Sequence, residues 1–203
     1  MPRTIQDTVE HEIIINKSRF IGILIPLNHV DEVNAYLEYY REIYPEATHY
    51  CFSYVIGPLE KANDNGEPSG TAGLPMLNVI KKNELENILA IVIRYFGGIK
   101  LGAGGLVRAY TQAVVEALNQ AKIVTKVLTP YYAISFDYPL IGQMDYLLKK
   151  NDISVVKKTF DEKVTYECFI QDENIFSKIQ DLTSNHYTKT KLKEAYIEMK
   201  EEI

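Results

Sequence analysis

Arg94-Tyr-Phe-Gly-Gly-Ile-Lys-Leu-Gly-Ala-Gly-Gly-Leu-Val-Arg-Ala-Tyr-Thr-Gln-Ala113 decides how this chain folds, because it gathers five of the eleven glycines and three cations. Residues 88–93 ahead of it are a short apolar, β-branched run. Behind it Leu106, Ala109, Tyr110, Ala113, Val114 and Ala117 recur at helical spacing. The stretch reads as strand, glycine loop, helix. Glycine lets a backbone come close to a ligand, and the free N–H groups of a helix start point outward, so this crossing is expected to bind an anion.

Outward from it, residues 8–15 and 19–26 are strand-like on either side of Asn16-Lys17-Ser18, a β-hairpin. Asp31 or Asn28 is placed to cap a helix whose face is Val33, Leu37, Tyr40 and Tyr44, broadened by Tyr36 and Tyr39 and stopped by Pro45. Residues 49–56 alternate as an aromatic strand that Gly57-Pro58 closes. The loop Asn63-Asp-Asn-Gly-Glu-Pro-Ser-Gly-Thr-Ala-Gly-Leu-Pro75 crowds turn formers, carboxylates and hydroxyls together, and the apolar segment after it reads as helical to Ile80. Residues 124–128 read as a strand, and Thr129-Pro130 as a break between domains. From Tyr131 the order is strand to Tyr138, helix 139–150, strands 153–159 and 164–170, helix 174–182 and strand 188–198. That βαββαβ order is the ferredoxin-like arrangement. The expected architecture is α+β, with domains at 1–130 and 131–203.

With 203 residues and 46% hydrophobic content the chain has material for packed cores. It has no apolar run long enough to span a bilayer, and its start lacks a basic region followed by an apolar centre, so a cytoplasmic protein with no membrane contact is expected. A net charge of −5 argues against coating nucleic acid through bulk charge and leaves room for a local cationic patch. Cys51 and Cys168 lie far apart with no C-x-x-C pair, which predicts reduced core cysteines.

The chemistry concentrates in the two loops. Arg94 ends a strand, Lys100 sits among the glycines and Arg108 falls early in the helix, where a cation opposes the macrodipole by roughly 0.3–1 kcal/mol. Such a cation calls for an anion. Either a phosphate or nucleic-acid backbone lies across Gly97, Gly98, Gly102, Gly104 and Gly105, or Asp64 or Glu67 of the other loop reaches over. Tyr95 and Phe96 read as core. An enzyme reading would use Asp64, Glu67, Ser69 and Thr71, with the carboxylates on Mg²⁺ beside a nucleotide. The loop has no Walker pattern, since Lys100 precedes Leu101, and Ser69 is not in a nucleophile elbow. His11, His29, His49 and His186 have no mutual metal spacing. No catalytic residue, cofactor or metal ligand is assigned.

The stretches Asp64-Asn-Gly-Glu-Pro-Ser-Gly-Thr-Ala-Gly73 and Arg94 to Tyr110 closely resemble the signature of the IMPACT family, in its bacterial YigZ-like branch, over residues 1 to about 125. Asn65 departs from a second aspartate common in the family, and if that acidic pair holds a metal, this chain would hold it less well. The resemblance implies an N-terminal domain of β-α-β type like domain 2 of ribosomal protein S5, in a superfamily that includes small-metabolite kinases. It also implies a C-terminal module similar to elongation factor G domain V. The partners implied are RNA, the ribosome or a protein of translation control, with no DNA expected. Eukaryotic members restrain a translation-control kinase pathway through an additional RWD domain for which this length leaves no room, so a general link to translation or stress control is what the resemblance implies. Three readings follow: an RNA-binding regulator, a Mg²⁺-dependent phosphate- or nucleotide-handling enzyme, and a protein–protein adaptor docking through both loops.

Overall fold

The computed structural model describes residues 3–198. The chain divides into two compact units, Met1–Lys126 and Val127–Ile203. The first contains strands β1 (Arg3–Ile5), β2 (Val9–Ile15) and β3 (Ser18–Pro26), helix α1 (Val33–Ile43), strands β4 (His49–Ile56) and β5 (Leu59–Asn63), helix α2 (Gly73–Lys82), strand β6 (Ile88–Tyr95) and helix α3 (Gly102–Asn119). Its antiparallel sheet runs β2-β3-β6-β4-β5. β1 pairs instead with residues 123–125, the start of β7 (Ile123–Phe136).

Both faces of the sheet are covered, which explains why β6 reads as an unbroken apolar run. Ile88, Ala90 and Val92 pack into one core with Met76, Tyr110 and Ala113 of α2 and α3. Leu89, Ile91 and Ile93 pack into the other with Val33, Leu37 and Tyr40 of α1. The period-2 alternation of the strand therefore assigns Arg94, the next even residue, to the α3 side. Helix α3 lies directly on β3, where a Cβ added at Gly22 would stand 2.4 Å from the carbonyl oxygen of Ala113. The stripe Ala109, Ala113, Ala117 admits that approach.

The second unit holds the rest of β7, helix α4 (Ile141–Lys150), strands β8 (Val155–Phe160) and β9 (Val164–Phe169), helix α5 (Ile175–Leu182) and strand β10 (Thr188–Glu198). The strand order β10-β7-β9-β8 is that of a ferredoxin-like sheet. Ile134, Phe136, Tyr166, Met144, Leu148 and Phe176 form its core with the two helices. The architecture is α+β.

Several local expectations differ from the structure. The edge strand β5 was not expected, because its exposed residues carry no apolar alternation. α1 begins through a 3₁₀ turn, Val30–Glu32, and its N-cap is Glu32 with no side-chain bond, so neither Asn28 nor Asp31 caps it. Tyr39 is 53% exposed and lies off the apolar stripe. Thr129-Pro130 does not interrupt β7, since Pro130 stands just before the β9 ladder and supplies only its carbonyl, to the N–H of Ile170.

Gly22→Ala would drive a methyl group into helix backbone, which has no side-chain freedom to yield. It is expected to lower stability by about 1–3 kcal/mol, read as a reduced urea midpoint at unchanged slope.

Candidate functional site

The loop of residues 64–72 is built around one carboxylate. Asp64 Oδ1 accepts the N–H groups of Ala72 (2.9 Å) and Gly73 (2.8 Å), and Oδ2 accepts that of Gly70 (2.8 Å). It serves as a remote cap for α2, whose own N-cap Ala72 has no side-chain acceptor to offer. Burial pushes the Asp64 carboxyl up, and the three N–H donors outweigh it, so its pKa lies below the usual carboxylate range. Asn65 has a φ of 41°, a left-handed backbone that Asn tolerates, and its side-chain oxygen accepts the Tyr50 N–H at 2.7 Å. Thr71 is buried with its hydroxyl on the Pro68 carbonyl at 2.6 Å, while Ser69 is exposed.

The second carboxylate, Glu67, is buried beneath α3. Its Oε1 accepts from Arg94 Nη1 at 2.5 Å and from the Tyr110 hydroxyl at 2.8 Å, and its Oε2 lies 3.8 Å from His49 Nε2. The Arg94 guanidinium stands 5.2 Å from the Phe20 ring centroid and 5.4 Å from that of Phe96, and Nη2 donates weakly to Ser18 Oγ at 3.4 Å. Cys51 completes the cluster, its Sγ 3.0 Å from the Asp64 carbonyl and 3.4 Å from the Tyr110 hydroxyl. Burial pushes its thiol up to about 12, which makes it inert as a nucleophile at neutral pH. Among the described residues no cluster of His, Cys, Asp or Glu is arranged to hold a metal ion.

The glycine crossing lies above this cluster. Gly97 rests on the β2–β3 turn, where a Cβ would stand 2.0 Å from the Lys17 carbonyl carbon, and its N–H donates to Ser18 Oγ at 3.1 Å. Gly98 and Gly102 have φ of 82° and 70°, conformations that side chains disfavour. Gly104 has neither reason: a Cβ there would meet only Arg108 Nη1, at 3.8 Å. That contact places the Arg108 guanidinium back over the first turn of α3. The turn carries no acidic residue, and its N-cap, Leu101, makes no side-chain bond. Lys17, Lys100 and Arg108 are all exposed, and among the described residues none of them joins an ion pair.

The structure thus separates the residues that the sequence grouped. Lys100, Arg108 and the exposed Gly98, Gly102 and Gly104 form the outer surface, while Arg94, Glu67 and Asp64 are engaged internally. Glu67 reaches Arg94, not Arg108. Phe96 is 47% exposed instead of core. The places of Lys17, Ser18, His49, Cys51 and Tyr110 in the site are not legible in the sequence, although Cys51 and Tyr110 are the core residues it predicts, since these contacts span 13 to 80 residues of sequence. The alternation of β4 and β6 offered the one available signal, because it sets His49, Cys51 and Arg94 on one face.

Glu67→Gln leaves the Arg94 charge buried without a counter-ion and is expected to cost about 3–5 kcal/mol in chemical denaturation. Asp64 carries the pH dependence. Its folded pKa is depressed, so its contribution is present above the ordinary carboxylate pKa and is lost as pH falls through the folded value. Asp64→Asn should lower stability at pH 7 and flatten the acid limb of stability below about pH 5; an acid limb identical to the wild type would remove Asp64 from that role.

With the geometry in view, the chain can be set beside known proteins. The profile of the Impact N-terminal domain matches residues 16–118, which contain both loops. The IMPACT family member YvyE of Bacillus subtilis (strain 168) is 42% identical over 180 residues, covering 86% of this chain and 83% of that protein. The IMPACT family member YigZ of Escherichia coli (strain K12) is 36% identical over 151 residues, covering 72% and 74%. A crystal structure of a hypothetical protein superposes with a TM-score of 0.65 at 29% identity, over 94% of this chain and 97% of the other. The chain belongs to the IMPACT family.

Proposed function

We propose that the protein is a translation- or stress-related regulator that binds RNA through the glycine crossing, the α3 N-terminus and the cations Lys17, Lys100 and Arg108 holding backbone phosphate. The observation that carries this reading is the pairing of Arg108 with Gly104. A guanidinium folded over the positive end of an 18-residue helix is electrostatically misplaced until an anion joins it. The carboxylates that would serve internally are committed, Asp64 to α2 and Glu67 to Arg94. Gly104 costs helix stability relative to alanine and relieves no clash in the fold, so its use is to keep the helix start open to a ligand. The same commitments weaken the Mg²⁺ reading, in which both carboxylates would have to face outward.

Fluorescence anisotropy with a labelled RNA oligonucleotide across a salt series tests the assignment. Arg108→Ala should weaken binding and make the slope of log K against log salt shallower by about 0.7–1. Gly104→Ala should separate stability from binding, raising the former by up to about 1 kcal/mol while weakening the latter. A wild-type salt slope in Arg108→Ala would remove that residue from the phosphate contact.

A further inference from the structure

Phe96 gives this surface a feature that phosphate binding does not require. It follows β6 directly, with its N–H held on Thr48 Oγ1 at 3.0 Å, and its ring covers the buried Arg94 guanidinium. Phe20 stands on the guanidinium as well, so Arg94 is packed against two rings of which Phe96 is the exposed one, at 47%. Ile99 (42%) and Val107 (37%) are also exposed in the same crossing. The crossing thus carries an exposed aromatic ring and two exposed aliphatic side chains on the same stretch as Lys100 and Arg108, with Lys17 brought in by the turn on which Gly97 rests, a combination that suits a ligand presenting a flat π-face and a phosphate together. A protein partner would match the apolar trio but would also need acidic residues facing three separate cations.

We infer that the crossing takes single-stranded RNA, one unpaired base stacking on the outward face of Phe96 while the adjoining phosphates lie on the cations. This rests on the RNA reading above and narrows it. Bases in a duplex are stacked on each other and present no free face to a protein side chain, so a duplex can use the cations but not Phe96. Base–aromatic stacking tolerates any base, which fits a surface on which Phe96, Ile99 and Val107 supply area but no hydrogen-bonding groups to read base edges. The exposure of Phe96 then has a use, and so does the Thr48 hydrogen bond to its backbone N–H.

The test measures binding of the full chain to a labelled 12-nucleotide RNA, as a single strand and annealed to its complement, for the wild type, Phe96→Leu, Phe96→Tyr and the Lys100→Ala/Arg108→Ala double variant. Leucine keeps the cover over Arg94 and removes the π-face, and thermal melts verify that each variant folds. The wild type should prefer the single strand by at least about tenfold. Phe96→Leu should lose about 5- to 150-fold on the single strand, with duplex binding and salt slope unchanged, and Phe96→Tyr should retain wild-type binding. Phe96→Leu binding the single strand as the wild type does, or losing equally on the duplex, would overturn the stacking role. In that case a weakened double variant would leave the parent RNA reading standing. No RNA binding by the wild type at any salt would overturn both. Loss by Phe96→Leu of an RNase-resistant protein partner, with RNA binding unaltered, would reassign the patch to a protein and overturn the proposal.

Discussion

A guanidinium buried at the end of a central strand must be neutralised, and the first unit is arranged around meeting that requirement. Arg94 continues the alternation of β6 onto the α3 face, where Ile88, Ala90 and Val92 are wholly buried. The cost of taking its charge out of water is offset only if a carboxylate arrives with good geometry and further hydrogen bonds. Glu67 does so from the loop before α2, and the Tyr110 hydroxyl from α3 supplies the second bond to the same oxygen. One pair therefore ties β6, the 64–72 loop and α3 to each other. Asp64 works a few residues earlier in that loop, fixing its path by gathering three N–H groups at the start of α2.

That internal arrangement explains the outer surface. With Asp64 and Glu67 turned inward, the crossing is left with cations and free helix N–H groups and no carboxylate to quench them. Gly97 lying against the β2–β3 turn brings Lys17 to the same place, although it is 80 residues away in the chain. The two loops divide the labour: one supplies the counter-charges that let the fold close, the other presents what remains to solvent.

The sequence was informative where periodicity and punctuation act locally. The alternation of residues 49–56, the apolar run of 88–93, the helical spacing after Gly105 and the βαββαβ order all correspond to elements seen. It was less informative where a side chain's role depends on a partner far along the chain. Arg94, Lys100 and Arg108 look alike as cations in a glycine loop, yet strand parity buries the first, and helix geometry folds the last back over Gly104. Asp64 and Glu67 look like a ligand pair, yet one is a helix cap and the other a counter-ion. Phe96 follows an apolar strand and reads as core, because nothing in its neighbours tells that the sheet ends at Tyr95.

The glycines make the same distinction from the opposite side. Gly97 is required by a backbone contact, and Gly98 and Gly102 by their dihedral angles, so they would be retained in a protein that bound nothing there. Gly104 relieves no clash and needs no unusual φ, and it sits where alanine would favour the helix. A residue that the fold would gladly exchange, under a cation that the helix dipole disfavours, is what the proposed anion contact would account for. The folding constraints account for the inner half of this motif, and they leave Gly104, Lys100 and Arg108 outside that account.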